Sequence, residues 1–158
     1  MKKWILAIMI AVLAIAAVSL VNLYRTTLDP EKERADEASS VALENTEMES
    51  VGKVEHFHGT SAYHVVSGTD GSGQRMFAWI PDNHDGEPIV RYEKEGISKG
   101  QVIDFFNKEV NPRKIIDVRL GIEENVPVWE VSYIDRKDRI SYYYLAFKDG
   151  TFIKRYRL

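Results

Sequence analysis

The hydrophobic pattern of the chain begins with one long apolar run, from Trp4 to Tyr24. Only Ser19 and Asn22 interrupt the run with polar side chains, and it contains no charged residue. At about 1.5 Å per residue the run is roughly 30 Å long as a helix, which matches the hydrocarbon core of a bilayer. The pattern therefore predicts a transmembrane anchor within residues 1–24, with residues 4–24 in contact with lipid.

Two basic residues, Lys2 and Lys3, precede the apolar run. Positive charge beside a span favours its cytoplasmic end, so we expect a cytoplasmic N-terminus and a single pass through the cell membrane, with everything from Arg25 onward extracytoplasmic. The triplet Ala14–Ala16 has the small-x-small form that signal peptidase cleaves. Apolar residues continue past that triplet, which favours an uncleaved anchor, and both alternatives export the rest of the chain.

A second helical pattern follows the anchor after a short join. Asp29 suits the N-cap of a helix and Pro30 its first position, and several acidic residues come next. Small or weakly apolar residues then recur on one face: Ala35, Ala38, Val41, Ala42, Asn45 and Met48. Such a face predicts a solvated stalk helix that leans on a sheet and ends near Val51-Gly52.

Short extended runs separated by turn-forming residues fill most of the remaining chain. The predicted strands are residues 51–58, 61–67, 76–80, 87–92, 115–122, 126–134, 140–147 and 152–156. Gly68–Gly73 and Asp149-Gly150 predict hairpin loops. Between the two groups of four strands, Ser98 is the predicted N-cap of a helix that ends at Asn111-Pro112. Its apolar stripe consists of Val102, Phe105, Phe106 and Val110.

The two halves of the exported part have the same plan, a helix followed by four strands. A shift of 65 positions superposes Phe77–Ile80 on Tyr142–Leu145 and Asp70 on Asp135. The sequence therefore predicts an α+β protein with two tandem repeats, each with one helix packed on a four-stranded antiparallel sheet. The predicted divisions are the anchor 1–24, the acidic stem with the first repeat 25–92, and the second repeat 93–158.

Composition narrows the possible functions. The chain carries a formal charge of −3, and without Lys2 and Lys3 it has 19 basic and 24 acidic residues. A general nucleic-acid binder would show a basic excess, so that class is excluded. The absence of cysteine excludes disulfides, thiol catalysis and thiolate metal ligands.

Motifs of known chemistry are weak in this sequence. Ser50–Lys53 has the S-x-x-K spacing of penicillin-binding enzymes, but Gly52 and the onset of a strand break the helical turn that this chemistry needs. Gly71–Gly73 lacks the strand-to-helix context of a phosphate loop. Glu123-Glu124 lies in a predicted turn, where solvated carboxylates are expected. We therefore predict no catalytic residues, no cofactor and no small-molecule substrate.

Three histidines are the best candidates for a metal site. His56 and His58 would share one face of a strand, and His64 could add a third ligand for zinc. No H-x-x-x-H spacing and no nearby carboxylate pattern accompanies them. Exposed strand histidines are the simpler interpretation, and no metal is predicted.

Aromatic and basic residues form a candidate partner surface. Tyr142 and Tyr144 alternate on one face of a strand, and Phe77 with Trp79 holds the corresponding place in the first half. Packing inside and between the repeats is the simpler interpretation, and an exposed patch for a protein partner is the alternative. The basic end of the chain could contact anionic wall polymer or lipid: Lys154, Arg155 and Arg157.

Several motifs resemble a known family. Gly96–Ser98 opening a helix is similar to the start of PepSY repeats, and Trp129–Tyr133 followed by an aromatic strand and Asp149-Gly150 resembles the PepSY hairpin. Tyr63–Asp70 and Phe77–Pro81 fit as well. From anchor to C-terminus the chain resembles the YpmB family of Gram-positive bacteria, the TseB-like cell-wall elongation regulators, with two PepSY- or cystatin-like repeats.

The resemblance implies a membrane-tethered protein that faces the cell wall. It also implies a role in peptidoglycan elongation as the partner of a class B penicillin-binding transpeptidase. The family defines no catalytic residues, so a non-enzymatic interaction protein is expected. Two alternatives stay open: a PepSY-type modulator of a protease, and a module that binds cell-wall polymer.

Overall fold

The computed structural model of the protein describes the backbone of residues 2–83 and 86–158, and their side chains except at 2–3, 5–8, 11 and 22–29. The chain divides into two compact units, Met1–Glu37 and Ala38–Leu158. The first unit is helical throughout its described length. The second contains both sheets.

One long helix, α1, runs from Lys2 to Asn45 and contains Pro30 in its interior. The predicted helix start at Asp29 is therefore wrong, although the side chain of Asp29 lies outside the described residues. A proline removes one helical hydrogen bond, but the sequences on both sides favour helix and propagation is cooperative. The exit near Val51 is also wrong, because α1 ends six residues earlier.

The predicted membrane anchor lies within α1. In the part of the chain that is described, no helix combines the length and apolar character that a membrane crossing requires. Residues 4–24 include side chains that lie outside the description, as do Lys2 and Lys3, and the anchor and its orientation stay predictions.

The first sheet has the order β1-β2-β3-β4, with each neighbouring pair antiparallel. Its strands are β1 Met48–His58, β2 Ala62–Asp70, β3 Arg75–Pro81 and β4 Ile89–Tyr92. Gly68 belongs to β2 rather than to the predicted loop, since it pairs with Val51 of β1 and Met76 of β3. A side chain at this position would overlap the Ser50 carbonyl and Met48. Glycine is needed at this point for the close approach of two strands, and the turn is confined to the residues after Asp70.

The C-terminal end of α1 packs on the first sheet through small residues. Ala38 and Ala42 are buried there against Val66, Ala78 and Ile80. The predicted helix-on-sheet contact is confirmed for these positions. Met48, which we assigned to the helix face, is instead the first residue of β1 and joins the same hydrophobic cluster.

The second repeat begins with a short 3-10 turn, Glu93–Glu95, and a capped helix, α2, Lys99–Phe105. The Ser98 hydroxyl accepts a hydrogen bond from the Gln101 amide and the Gln101 side chain accepts one from the Ser98 amide, so the predicted N-cap is confirmed. The last turn, Phe106–Val110, is π-helical and was not predicted, since apolar spacing does not distinguish one wider turn.

The second sheet repeats the plan of the first, with the antiparallel order β5-β6-β7-β8. Its strands are β5 Lys114–Glu123, β6 Val126–Ile134, β7 Ile140–Ala146 and β8 Phe152–Arg157. At a shift of 65 positions β3 and β7 coincide at both ends. Two four-stranded antiparallel sheets of an α+β protein are therefore confirmed.

One hydrophobic core joins the two sheets. The ring of Phe147, which follows β7, contacts Phe77 and Trp79 of β3 and Trp129 of β6. The Trp79 indole N–H donates a 2.8 Å hydrogen bond to the carbonyl of Gly121 in β5. Neither sheet alone would cover these aromatic side chains.

Candidate interaction surface and histidine cluster

The predicted aromatic patch is largely interior. Phe77 and Trp79 are buried in the core between the sheets, and Tyr144 is buried as well. These three residues cannot form an exposed contact for a partner, which corrects that part of the predicted surface. The alternative of packing within and between repeats describes them, because β3 contributes buried side chains to both hydrophobic clusters and Tyr144 of β7 belongs to the larger one.

Tyr144 belongs to a polar network instead. Its hydroxyl donates a 2.6 Å hydrogen bond to Oε2 of Glu130, whose Oε1 accepts from the guanidinium of Arg119 at 2.7 and 2.8 Å. Glu130 is only 3% exposed, so these donors compensate the burial of its carboxylate. Burial, with the hydrogen bond to Glu130, raises the pKa of Tyr144 well above its usual range.

Lys154 is tied into the same network. Its Nζ lies 2.5 Å from Oε2 of Glu123 and close over the rings of Tyr144 and Tyr156. Glu123 is 5% exposed and also accepts a hydrogen bond from Thr60 of the first repeat. The expectation that Glu123 is a solvated turn carboxylate is therefore wrong, since the hairpin folds it against the first repeat.

The register of β8 divides the other predicted surface residues between the two faces of the sheet. Tyr156 pairs with Tyr142, whereas Arg155 pairs with Tyr143 and Arg157 with Ser141. Tyr143 packs on Phe106, so the two arginines lie on the face that carries α2. Lys154 and Tyr142 lie on the opposite face.

Arg155 and Arg157 open onto a surface depression of about 220 Å³ that we call the basic cleft. Its charged lining consists of Asp135, Arg136, Lys137, Arg139, Arg155 and Arg157. Asp135 is bound by Arg139 at 2.6 Å, and Arg136 donates to the Asn111 carbonyl. Five cations beside one carboxylate make a local field that attracts anions, although the chain as a whole is acidic. Only its two β8 arginines were identified from the sequence.

Strand β8 is the outer strand of its sheet, and among the described residues its one strand partner is β7. We call residues 152–158 the β8 surface. Large apolar side chains are exposed along it: Phe152, Ile153, Tyr156 and Leu158. Exposed apolar groups beside arginine at an unpaired strand edge are typical of a protein-binding surface.

A second cluster lies at the end of the first sheet. His56 and His64 are directly opposite each other on β1 and β2, with ring centroids 4.8 Å apart. Asp82 follows β3, and its amide donates to the Ala62 carbonyl at 3.1 Å. The carboxylate of Asp82 thereby comes within 2.9 Å of His56 Nε2 and 2.8 Å of His64 Nδ1.

The histidine cluster corrects two expectations. His64 is 5% exposed, so it is not an exposed strand histidine, and a carboxylate does accompany the pair. His58 is exposed, with its ring centroid 5.9 Å from that of His56. Asp82 was missed because its position depends on the pairing of β2 with β3: His64 faces Ile80, two residues before Asp82.

The S-x-x-K motif forms no catalytic pair. Ser50 and Lys53 lie on β1 with an irregularity in the register between them. The Ser50 hydroxyl bonds Thr69 at 2.7 Å, and the Lys53 ammonium bonds Glu55 at 2.7 Å. The serine–lysine chemistry needs an amine within reach of the hydroxyl, and both groups are engaged elsewhere.

Comparison with known proteins identifies relatives for most of the chain. The profile of the family described as "Cell wall elongation regulator TseB-like domain" matches residues 37–81. A protein of Bacillus subtilis (strain 168) described as "Probable cell wall elongation regulator TseB" is 31% identical over 147 residues, which cover 93% of this chain and 89% of that protein. The solved structure of "YpmB protein from Bacillus subtilis" matches with a TM-score of 0.75 at 32% identity, covering 78% of this chain and 96% of that one.

Proposed function

Because the chain belongs to the TseB-like cell wall elongation regulators, we propose that it is a membrane-anchored, non-enzymatic binding protein that acts at the outer face of the membrane. In this proposal it regulates peptidoglycan elongation by binding a class B penicillin-binding transpeptidase. The observation that carries the proposal is the 31% identity, over 93% of the chain, to a protein described as a regulator of cell wall elongation.

The long helix supports tethering. Helix α1 continues from Lys2 as far as Asn45. Its described apolar side chains, such as Leu13 and Val18, are exposed in the chain alone, and the lipid of a bilayer would cover them. An anchor confines a protein to a thin layer beside the membrane. Its effective concentration toward other membrane proteins then rises without any new contact.

The β8 surface and the basic cleft together are the strongest candidate for the contact with the transpeptidase. The β8 surface offers exposed apolar side chains and an unpaired strand edge, and the cleft adds arginine. Aromatic residues and arginine are enriched at interface cores and carry much of the binding energy there. A partner with an extended, acidic segment would complement both features.

Site-specific crosslinking in cells tests this assignment. A photo-reactive amino acid would replace Phe152 or Tyr156 on the β8 surface, or Lys53 on exposed β1 as a matched control. We expect an adduct with an elongation transpeptidase from the β8 positions and none from position 53. Adducts of equal yield at all three positions, or none at β8 with an intact membrane fraction, would contradict the proposed contact.

The basic cleft also favours a second candidate, binding of an anionic wall polymer. Such polymers carry repeated negative charge, and a cluster of arginine and lysine side chains recognises it electrostatically. Sedimentation of the detergent-solubilised chain with purified cell walls tests this candidate in the absence of protein partners. Arg155→Glu with Arg157→Glu should abolish retention, whereas Lys53→Glu and Lys99→Glu, at exposed positions outside the cleft, should not.

A further inference from the structure

We propose that His56, His64 and Asp82 form a binding site for a divalent transition-metal ion. Zn²⁺ is the ion used to test the site. The site would lie at the end of the first sheet, on the same side of the sheet as the C-terminal end of α1. It is separate from the β8 surface and from the basic cleft, and the proposed regulatory function does not require it.

The positions of the donor atoms fit such an ion. One candidate ligand atom from each of the three side chains lies within 4.8 Å of the other two. Oδ2 of Asp82 is 2.9 Å from Nε2 of His56, and Oδ1 is 2.8 Å from Nδ1 of His64. Tetrahedral zinc with bonds of about 2.0–2.2 Å holds its ligand atoms about 3.3–3.6 Å apart. The observed separations bracket this value, so small side-chain rotations would bring all three donors onto one ion.

A buried carboxylate oxygen of Asp82 is a further feature that favours cation binding. Oδ1 of Asp82 is inaccessible to solvent and accepts no hydrogen bond from any described residue, although it lies 2.8 Å from Nδ1 of His64. That contact has the separation of an ion pair without hydrogen-bond geometry. Burial of a carboxylate oxygen without a donor costs free energy, and a bound cation would compensate it.

The surrounding structure fixes the three ligands in advance. His56 and His64 are cross-strand neighbours in a regular part of the β1–β2 ladder, and the Asp82 amide is bound to Ala62 on β2. His64 is 5% exposed, which restricts its rotamers. Two imidazoles with one carboxylate are the ligand set of catalytic zinc sites and of non-haem iron sites, and both leave further positions for water.

His58 is the candidate for an additional ligand. Its ring centroid is 5.9 Å from that of His56, and its exposed side chain could rotate toward the ion. The proposal rests on the three convergent residues, and we expect His58 to contribute little. Because the chain has no cysteine, no thiolate ligand is available to the ion.

Zinc titration of the full-length chain in detergent micelles, in competition with a chromophoric chelator, tests the site. We expect one equivalent of Zn²⁺ to bind and the histidine ring ¹⁵N resonances of His56 and His64 to shift. Saturation should raise the melting temperature by about 5 °C or more, since a ligand that binds only the folded state stabilises it. Absence of stoichiometric binding, or shifts confined to other residues, would overturn the proposal.

Variants identify the ligands independently. His56→Gln and Asp82→Asn should each weaken Zn²⁺ binding by more than about 100-fold, because loss of a second-shell partner alone costs 10–100-fold. His58→Gln is the matched control and should change affinity less than about tenfold. Circular dichroism verifies that each variant is folded. If folded His56→Gln or Asp82→Asn retains the wild-type affinity, the site is not the one proposed.

Discussion

Asp70 and Asp135, which are 65 positions apart, terminate equivalent strands with the same hydrogen-bond arrangement. Oδ1 of Asp70 accepts from the amides of Ser72 and Gln74, and Oδ1 of Asp135 accepts from those of Lys137 and Arg139. The sequence predicted this correspondence from the shift of 65 positions that superposes the two halves. In both hairpins the aspartate carboxylate stabilises the turn by accepting hydrogen bonds from two turn amides.

Both carboxylates should make the protein sensitive to acid. The Arg139 side chain, with turn amides, lowers the pKa of Asp135 to about 2, and the Ser72 hydroxyl lowers the pKa of Asp70. A folded-state pKa below the unfolded value gives stability that is present above about pH 4 and is lost as pH falls through the folded-state pKa.

Asp135→Asn tests the acid dependence. In urea unfolding at pH 6 the variant should be less stable than the wild type, and the difference should shrink toward pH 2. Asp70→Asn should behave in the same direction. A difference that stays constant between pH 6 and pH 2 would show that the charge of these carboxylates does not contribute to stability.

Tyr144→Phe should destabilise the second sheet. The substitution removes the hydroxyl that donates to Glu130 and leaves a buried carboxylate with one donor fewer, at a cost of about 1–3 kcal/mol. Chemical denaturation measures this change. Tyr142→Phe, at a partly exposed position of the same strand, is the control and should change the free energy of unfolding by less than about 0.5 kcal/mol.

Gly121→Ala and Gly100→Ala should have opposite effects. A methyl group at position 121 would overlap the Phe57 ring where the repeats meet, and overpacking costs about 1–3 kcal/mol. At position 100, near the start of α2, the nearest atom is the Ser98 hydroxyl at 3.9 Å, so alanine should stabilise by up to about 1 kcal/mol. Equal thermal shifts for the two variants would contradict the packing described at Gly121.

Trp79→Phe should weaken the contact between the repeats. The indole N–H that bonds the Gly121 carbonyl is lost, and the smaller ring leaves a cavity, at a combined cost of about 2–4 kcal/mol. Unfolding should remain a single transition when it is followed by both fluorescence and circular dichroism, since one core serves both sheets. Two separated transitions would indicate that the sheets unfold independently.

Local patterns were sufficient to predict the strands and the cap of α2. Alternation and turn formers located strands β1 to β8 of the described chain, and Ser98 caps α2 because its hydroxyl and Gln101 satisfy free amides. The continuity of α1 through Pro30 was missed because a local helix-start signal was overridden by cooperativity.

The candidate sites were less accessible from the sequence because they depend on pairing across strands. The sequence left open whether Phe77 and Trp79 are packed or exposed, and contacts with residues of the second sheet bury them. Asp82 meets His56 and His64 only through the register of three strands, and no residue spacing in the sequence indicates that meeting. The basic cleft likewise combines the β6–β7 turn with β8.

The core shared by β3, β5 and β6 determines which mutations can be used to separate the functions of the protein. A deletion that removes either half would expose Trp79 or Trp129 to water, and the remaining half would be expected to aggregate or be degraded. The phenotype of such a truncation would then equal that of a null allele. Alleles that separate one activity from another must instead be single substitutions on the outside, with the polypeptide accumulating at normal abundance.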